Sequence, residues 1–392
     1  MKKVKILFLV VFSLFALILT SCVPGGGTQP AQGWAGTVFH DGTLYVGSTD
    51  GRVVAVNPLT QNIEWSYAIA ASSSSSGIMS CGQTSVPTAI YGTSAVDGDL
   101  VYIGTYDGKV LSLSTSARSQ DLPFPQKRSG EWKWICSGGI VGSSVVDGDA
   151  VYITSSNGRV YSLDKEFGDL NWESDILDEK LWTTLVIRGD TIYVSTFDGH
   201  IYTLSTETGK KLPWTFKSDV GFISSPMLYD NSIFVGSFDN KLYVIKVGDD
   251  EPKWEFSGGR WFWAAPVVED GVVYAGCLDG KVYAIDADSG RELWEFDAGG
   301  PIVASPILVD DSLVVAAESG NVYVINSKTG IGERIKNPEG DNKPSIGAPV
   351  RATLCAHEGT VYIHAQDNCL YTLDIGEERI SWRLPLAIKQ ES

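Results

Sequence analysis

Between Asp270 and Phe296 the chain reads DGVVYAGCLDGKVYAIDADSGRELWEF. Two runs of alternating apolar character meet at Asp279-Gly280, a dipeptide that reverses the chain tightly because glycine takes positive φ without steric cost. Asp286 and Gly290 mark a second reversal into the tryptophan-bearing run Leu293-Trp294-Glu295-Phe296, and Ala264 to Val268 supplies another apolar run upstream. The pattern predicts four short antiparallel strands in one repeat.

The same turn recurs at Asp50-Gly51, Asp107-Gly108, Asn157-Gly158, Asp198-Gly199, Asp239-Asn240, Ser319-Gly320 and Asp367-Asn368, at intervals of 40 to 57 residues. A tryptophan follows at Trp65, Trp172, Trp214, Trp254, Trp294 and Trp382, whereas the seventh repeat carries Arg334 there. A single four-stranded sheet cannot bury both faces alone, so eight copies predict an all-β fold, an eight-bladed β-propeller of four-stranded antiparallel blades.

The run Tyr283-Ala284-Ile285-Asp286-x-x-Ser289-Gly290-x-x-x-Trp294 resembles the tryptophan-docking repeat of quinoprotein-type propellers. That superfamily includes alcohol dehydrogenases that use pyrroloquinoline quinone and non-enzymatic lipoproteins such as the BamB component of outer-membrane β-barrel assembly. The resemblance covers roughly residues 34 to 386 and implies the fold; since fold does not fix chemistry, activity has to be read from the residues.

Ahead of the repeats, Lys2, Lys3 and Lys5 precede the apolar segment Ile6 to Leu19, the form of an export signal. Its end, Leu19-Thr20-Ser21-Cys22, resembles the bacterial lipobox, which implies a signal peptide over 1–21 and lipid attachment at Cys22. Residues 22–33, with Pro24, Gly25 to Gly27 and Pro30, read as a lipidated flexible tether, and 34–388 as one propeller domain. No later apolar run is long enough to cross a bilayer as a helix.

Aligned on the hairpins, the residues leading into the eight first strands form columns. The first is Trp34, Tyr91, Val141, Trp182, Ile223, Trp263, Val303 and Arg351. The next two are small throughout, from Ala35, Gly92 and Gly142 in one and Gly36, Thr93 and Ser143 in the other, as crowding at a propeller axis requires. Trp34, Tyr91, Trp182, Trp263 and Arg351 form a candidate binding mouth: flat apolar faces and a guanidinium suit a peptide, a glycan or a flat cofactor. The other reading places each aromatic between blades as ordinary core.

Net charge excludes some classes of partner. The formal value is −17, and loss of the three signal lysines brings it to about −20, which disfavours nucleic acid and anionic lipid headgroups as partners. Cys81 and Cys136 lie ahead of the first strands of adjacent repeats and are a candidate disulfide, while Cys277 reads as a buried small residue and Cys355 and Cys369 stay open. His357 and His364 flank one hairpin and could meet, yet two ligands make an incomplete zinc site. Three insertions interrupt the spacing: Ser66 to Ile90 and Ile331 to Pro349 on the hairpin rim, and Ser114 to Glu131 on the opposite one.

The quinoprotein enzymes of the resemblance use calcium, a catalytic aspartate and, in many members, a disulfide of adjacent cysteines. This chain has no adjacent cysteines, and its mouth column lacks the oxygen-ligand cluster calcium needs. No nucleophile elbow, phosphate loop or zincin motif occurs either. The expectation is a monomeric, extracytoplasmic, lipid-anchored, non-catalytic scaffold that binds a protein or peptide of the cell envelope and needs no cofactor or metal. The competing expectation is a quinone-dependent dehydrogenase or a sugar-binding propeller.

Overall fold

The computed structural model describes residues 33–69, 88–116, 130–337, 340 and 343–387. The signal segment, the lipobox with Cys22, Cys81, and most of the insertions at Ser66 to Ile90 and Ser114 to Glu131 lie outside the described residues.

Among the described residues thirty-two strands form eight four-stranded antiparallel sheets, each built from four consecutive strands. In chain order the blades run Thr37–Ala68, Ala95–Ile135, Val145–Glu173, Val186–Lys217, Met227–Ser257, Val267–Asp297, Ile307–Arg334 and Cys355–Pro385. Blade 6 shows the pattern: Val267–Glu269, Val272–Gly276, Lys281–Asp286 and Glu292–Asp297. The apolar residues upstream, Ala264 to Pro266, run into the first strand without joining its ladder.

Alternation along the two middle strands sorts side chains between two seams, not between core and water. In blade 1, Tyr45, Val53 and Ala55 pack toward blade 2, while Leu44, Val46, Val54 and Val56 pack toward blade 8. Eight such apolar layers stand between the eight neighbouring pairs of blades, from the layer joining blades 1 and 2 to the one joining blades 8 and 1. Among the described residues no strand crosses from one end of the chain into the other's blade, so the ring closes by side-chain packing and a few hydrogen bonds rather than through a shared sheet. At that closing seam the buried His364 imidazole meets the Ala35 carbonyl oxygen at 2.8 Å, and the Thr49 amide donates to Asn368 Oδ1 at 3.0 Å.

The tryptophans stitch the other seams. Trp254 Nε1 donates to the Ala287 carbonyl of the next blade at 3.0 Å, and Trp294 Nε1 to that of Ser327 at 2.9 Å. Gly290 lies beneath the Trp254 ring at φ 71°; a Cβ there would stand 2.7 Å from the ring, so the glycine in Asp-x-x-Ser-Gly serves the neighbour's docking as well as its own turn. Trp132 fills the same place in blade 2, donating to the Lys165 carbonyl at 2.9 Å; the insertion ahead of it hid it from the repeat spacing. At the seam between blades 7 and 8, where no tryptophan docks, Ile335, Ile346 and Val350 fill the layer instead.

Candidate functional site

The hairpins that join second to third strands share one rim with the segments leading into the first strands. Each hairpin is a type I turn closed by a left-handed residue, such as Gly108 at φ 81° in blade 2. The Thr105 hydroxyl donates to Asp107 Oδ1 at 2.6 Å, and Lys109 Nζ meets Asp107 Oδ2 at 2.6 Å. Burial pushes the Asp107 carboxyl up, but these donors and Thr88 together bring it below the usual carboxylate range. Carboxylates held in this way are structural parts of the turn.

In six blades the second residue of the hairpin turn donates its amide to a carbonyl of its own blade's leading segment. Tyr106 donates its amide to the Ala89 carbonyl at 3.0 Å, Phe238 to Gly221 at 3.0 Å, Leu278 to Trp261 at 2.9 Å and Glu318 to Pro301 at 2.8 Å. In blade 4 a side chain replaces that carbonyl. Asp178 Oδ2 accepts from the amides of Phe197 at 2.8 Å and Asp198 at 3.2 Å. Burial, and then the charge of Asp198, raises the Asp178 carboxyl above its ordinary range.

This arrangement interleaves two columns at the rim, and both carry aromatics. Trp34 and Tyr91 meet edge to face at 4.5 Å between centroids, Tyr91 meets Tyr106 at 5.3 Å, and the Arg351 guanidinium lies 5.8 Å from the Trp34 ring. Arg351 Nε also pairs with Glu318 Oε1 at 2.7 Å. On blades 4 to 6, Trp182 meets Phe197 at 5.8 Å, Phe197 meets Phe238 at 5.5 Å, and Phe238 meets Trp261 at 5.3 Å. Trp34, Trp182 and Trp263 are half-buried, Tyr91 is buried, and Tyr106 is 44% exposed. Burial and the neighbouring Tyr106 push the Tyr91 phenol up to about 12. Among the described residues, none of these aromatics belongs to the eight seam layers.

Five residues of the rim were absent from the mouth column read from sequence: Tyr106, Phe197, Phe238, Trp261 and Glu318. The signal was present, since three aromatics and one carboxylate recur directly before the hairpin turn. Turn chemistry drew attention to the Asp-Gly pair, and the position before it stayed unread.

Deeper along the axis, the small columns have a chemical role beyond size. The Thr93 amide donates to Ser143 Oγ at 3.0 Å, Ser143 to Thr184 Oγ1 at 2.8 Å, Thr184 to Ser225 Oγ at 2.9 Å, and Ala265 to Ser305 Oγ at 3.1 Å. Each bond links one blade to the next. Where no side chain fits, the approach is closer still: a Cβ on Gly92 would stand 2.2 Å from the Gly142 carbonyl oxygen. These hydroxyl oxygens accept from the scaffold's own backbone amides, and among the described residues the donor set around the axis does not suit a calcium-bound quinone.

His357 and His364 are not brought together. They sit toward opposite ends of one hairpin, His357 stacked on Phe39 at 3.8 Å and His364 bonded to the Ala35 carbonyl. Among the described residues no group of three or more His, Cys, Asp or Glu side chains could hold a metal ion. The Cys136 thiol donates to the Gly138 carbonyl at 3.0 Å; its proposed partner Cys81 lies outside the described residues. Cys277 is buried, with its thiol pushed up to about 12 by desolvation, and Cys355 and Cys369 are unpaired.

The family model described as "Outer membrane protein assembly factor BamB" matches residues 25–174, 125–227, 157–260 and 211–389. The chain belongs to this family. No curated protein matches the chain by sequence. Among solved structures, BamB from Moraxella catarrhalis is similar with a TM-score of 0.64 at 18% identity, covering 86% of this chain and 92% of that one. The computationally designed Ika8 protein gives 0.66 at 17% identity, covering 87% and 96%. A europium-containing methanol dehydrogenase gives 0.61 at 12% identity, covering 87% and 82%. At such identities a designed protein, an assembly factor and an enzyme share the fold alone.

Proposed function

We propose that this chain is a lipid-anchored, extracytoplasmic, non-catalytic scaffold that holds a protein or peptide partner at its aromatic rim during outer-membrane protein assembly. The family supports the assembly context. The observation that carries the reading is the rim itself: large aromatics stand outside every seam layer, where they contribute least to the ring and most to a docked partner. A quinone-dependent reading draws on the likeness to the methanol dehydrogenase but finds no matching donor set around the axis.

Lipidation at Cys22, expected from the lipobox-like Leu19-Thr20-Ser21-Cys22, supplies the anchor in this reading. Cys22→Ser is expected to move the protein from the membrane to the soluble extracytoplasmic fraction while leaving its fold intact. Membrane retention after a carbonate wash contradicts the anchor. The docking role is tested by photo-crosslinking from Phe238 in intact membranes, with a defined envelope protein as the expected adduct. Crosslinks no more specific than those from an exposed position on the opposite rim, such as Glu207, would contradict it.

A further inference from the structure

The aromatics of the rim do not encircle the opening evenly. One arc, Arg351, Trp34, Tyr91 and Tyr106, belongs to blades 8, 1 and 2. The other, Trp182, Phe197, Phe238 and Trp261, belongs to blades 4, 5 and 6. In a ring of eight these groups stand across the axis from each other. Blades 3 and 7 lie between them and place Val141 with Ser156, and Val303 with Glu318, at the corresponding positions. Two aromatic walls, separated at blades 3 and 7 by positions without an aromatic, give the rim the form of a slot whose long axis runs between those two blades.

A slot suits an extended chain, whose successive side chains point to alternate sides and would reach both walls. The walls also show which side chains they take. Lys180 Nζ lies 5.7 Å from the Trp182 ring centroid, and Arg351 lies 5.8 Å from that of Trp34, so each arc already seats a cation of the protein's own. Carboxylates outnumber cations beside the second wall: Asp178, Glu179, Asp198 and Asp239 stand near Trp182, Phe197 and Phe238 in sequence or contact, against Lys180 and Arg260. The whole chain carries −17. Charge and ring faces together favour a cationic partner over a neutral or acidic one.

We propose that the slot binds an extended polypeptide segment in which arginine or lysine alternates with aromatic residues, lying across the mouth from blade 3 to blade 7. This rests on the docking reading above and specifies the partner's chemistry. The arginines would lie against the ring faces and the carboxylates of blades 4 to 6. The aromatics would pack against the wall of blades 8, 1 and 2.

The test uses the full chain in detergent and three fluorescein-labelled nine-residue peptides, read by anisotropy. One alternates arginine with tryptophan, the second has glutamate for arginine, and the third has alanine for tryptophan; a malto-oligosaccharide serves as an unlabelled competitor. The first peptide is expected to bind at least about tenfold tighter than the other two, more weakly as salt rises, and at least about tenfold more weakly to Trp182→Ala/Phe238→Ala. Equal binding of the glutamate peptide, or displacement by the sugar alone, overturns the proposal, and the parent protein decides this even if the double variant fails to fold. If crosslinking from Phe238 captures a partner while the basic aromatic peptide shows no preference, the docking reading stands and only the partner's chemistry fails. If crosslinking at the rim also fails, both fall together.

Discussion

Two sets of tryptophans in this molecule share a residue type and, for most members, half-burial, but they make different contacts. Trp65 and Trp132 sit in the seams, 4% and 5% exposed, each donating its indole N–H to a carbonyl of the next blade. Trp34, Trp182 and Trp263 sit at the rim, half-buried, outside the seam layers. The seam residues recur because every blade has to dock the next. The rim residues occupy only some of eight equivalent positions, so the docking of one blade on the next does not require them.

The largest effect expected on the seam side is that of Trp65→Ala. Removing a buried indole between blades 1 and 2 should cost about 3–5 kcal/mol, read as a lower urea midpoint in equilibrium unfolding. A loss under about 1 kcal/mol would erase the distinction between seam and rim.

A second effect concerns the closing seam and is pH-dependent. Burial holds His364 below the ordinary histidine value, against opposing pulls from the Ala35 carbonyl, Asn368, Asp367 and Asp50. The unfolded chain therefore takes up a proton near pH 6.5 that the folded chain resists. The stability this contributes is complete above that pH and declines as pH falls toward the lowered folded value, by at most about 1.4 kcal/mol per pH unit. Unfolding free energies at pH 7.5 and 5.5 check it, and His364→Gln should flatten that part of the profile.

The smallest effect is expected at Arg334, which stands where the seven other blades carry a tryptophan and contacts the Lys343 carbonyl at 2.6 Å near the surface. Because Ile335, Ile346 and Val350 fill that seam, Arg334→Ala should change stability by under about 1 kcal/mol in the same urea titration. A cost like that of Trp65→Ala would show that the seam depends on the guanidinium.

Much of this was legible in the sequence because a propeller writes itself eight times. The hairpin pitch located the middle strands of all eight blades, and the tryptophan spacing located six of the fourth strands. Trp132 escaped because an insertion moved it out of register while the seam still required it. The small columns near the axis were read as a demand of size, yet their hydroxyls also bond the neighbouring blade, which no spacing displays. At the rim, Trp34, Tyr91, Trp182, Trp263 and Arg351 could be aligned, but their environment could not be read, because an aromatic at a strand's approach suits a seam and a surface equally well. Tyr106, Phe197 and Phe238 join them only when hairpins and leading segments are folded together.

The separation of folding from docking is tested most directly by Trp182→Ala/Trp263→Ala, measured for thermal unfolding and for crosslinked capture in the membrane. The expected result is a melting temperature within about 5 °C of the parent with capture lost. A large fall in melting temperature, or capture that survives both substitutions, would contradict the account.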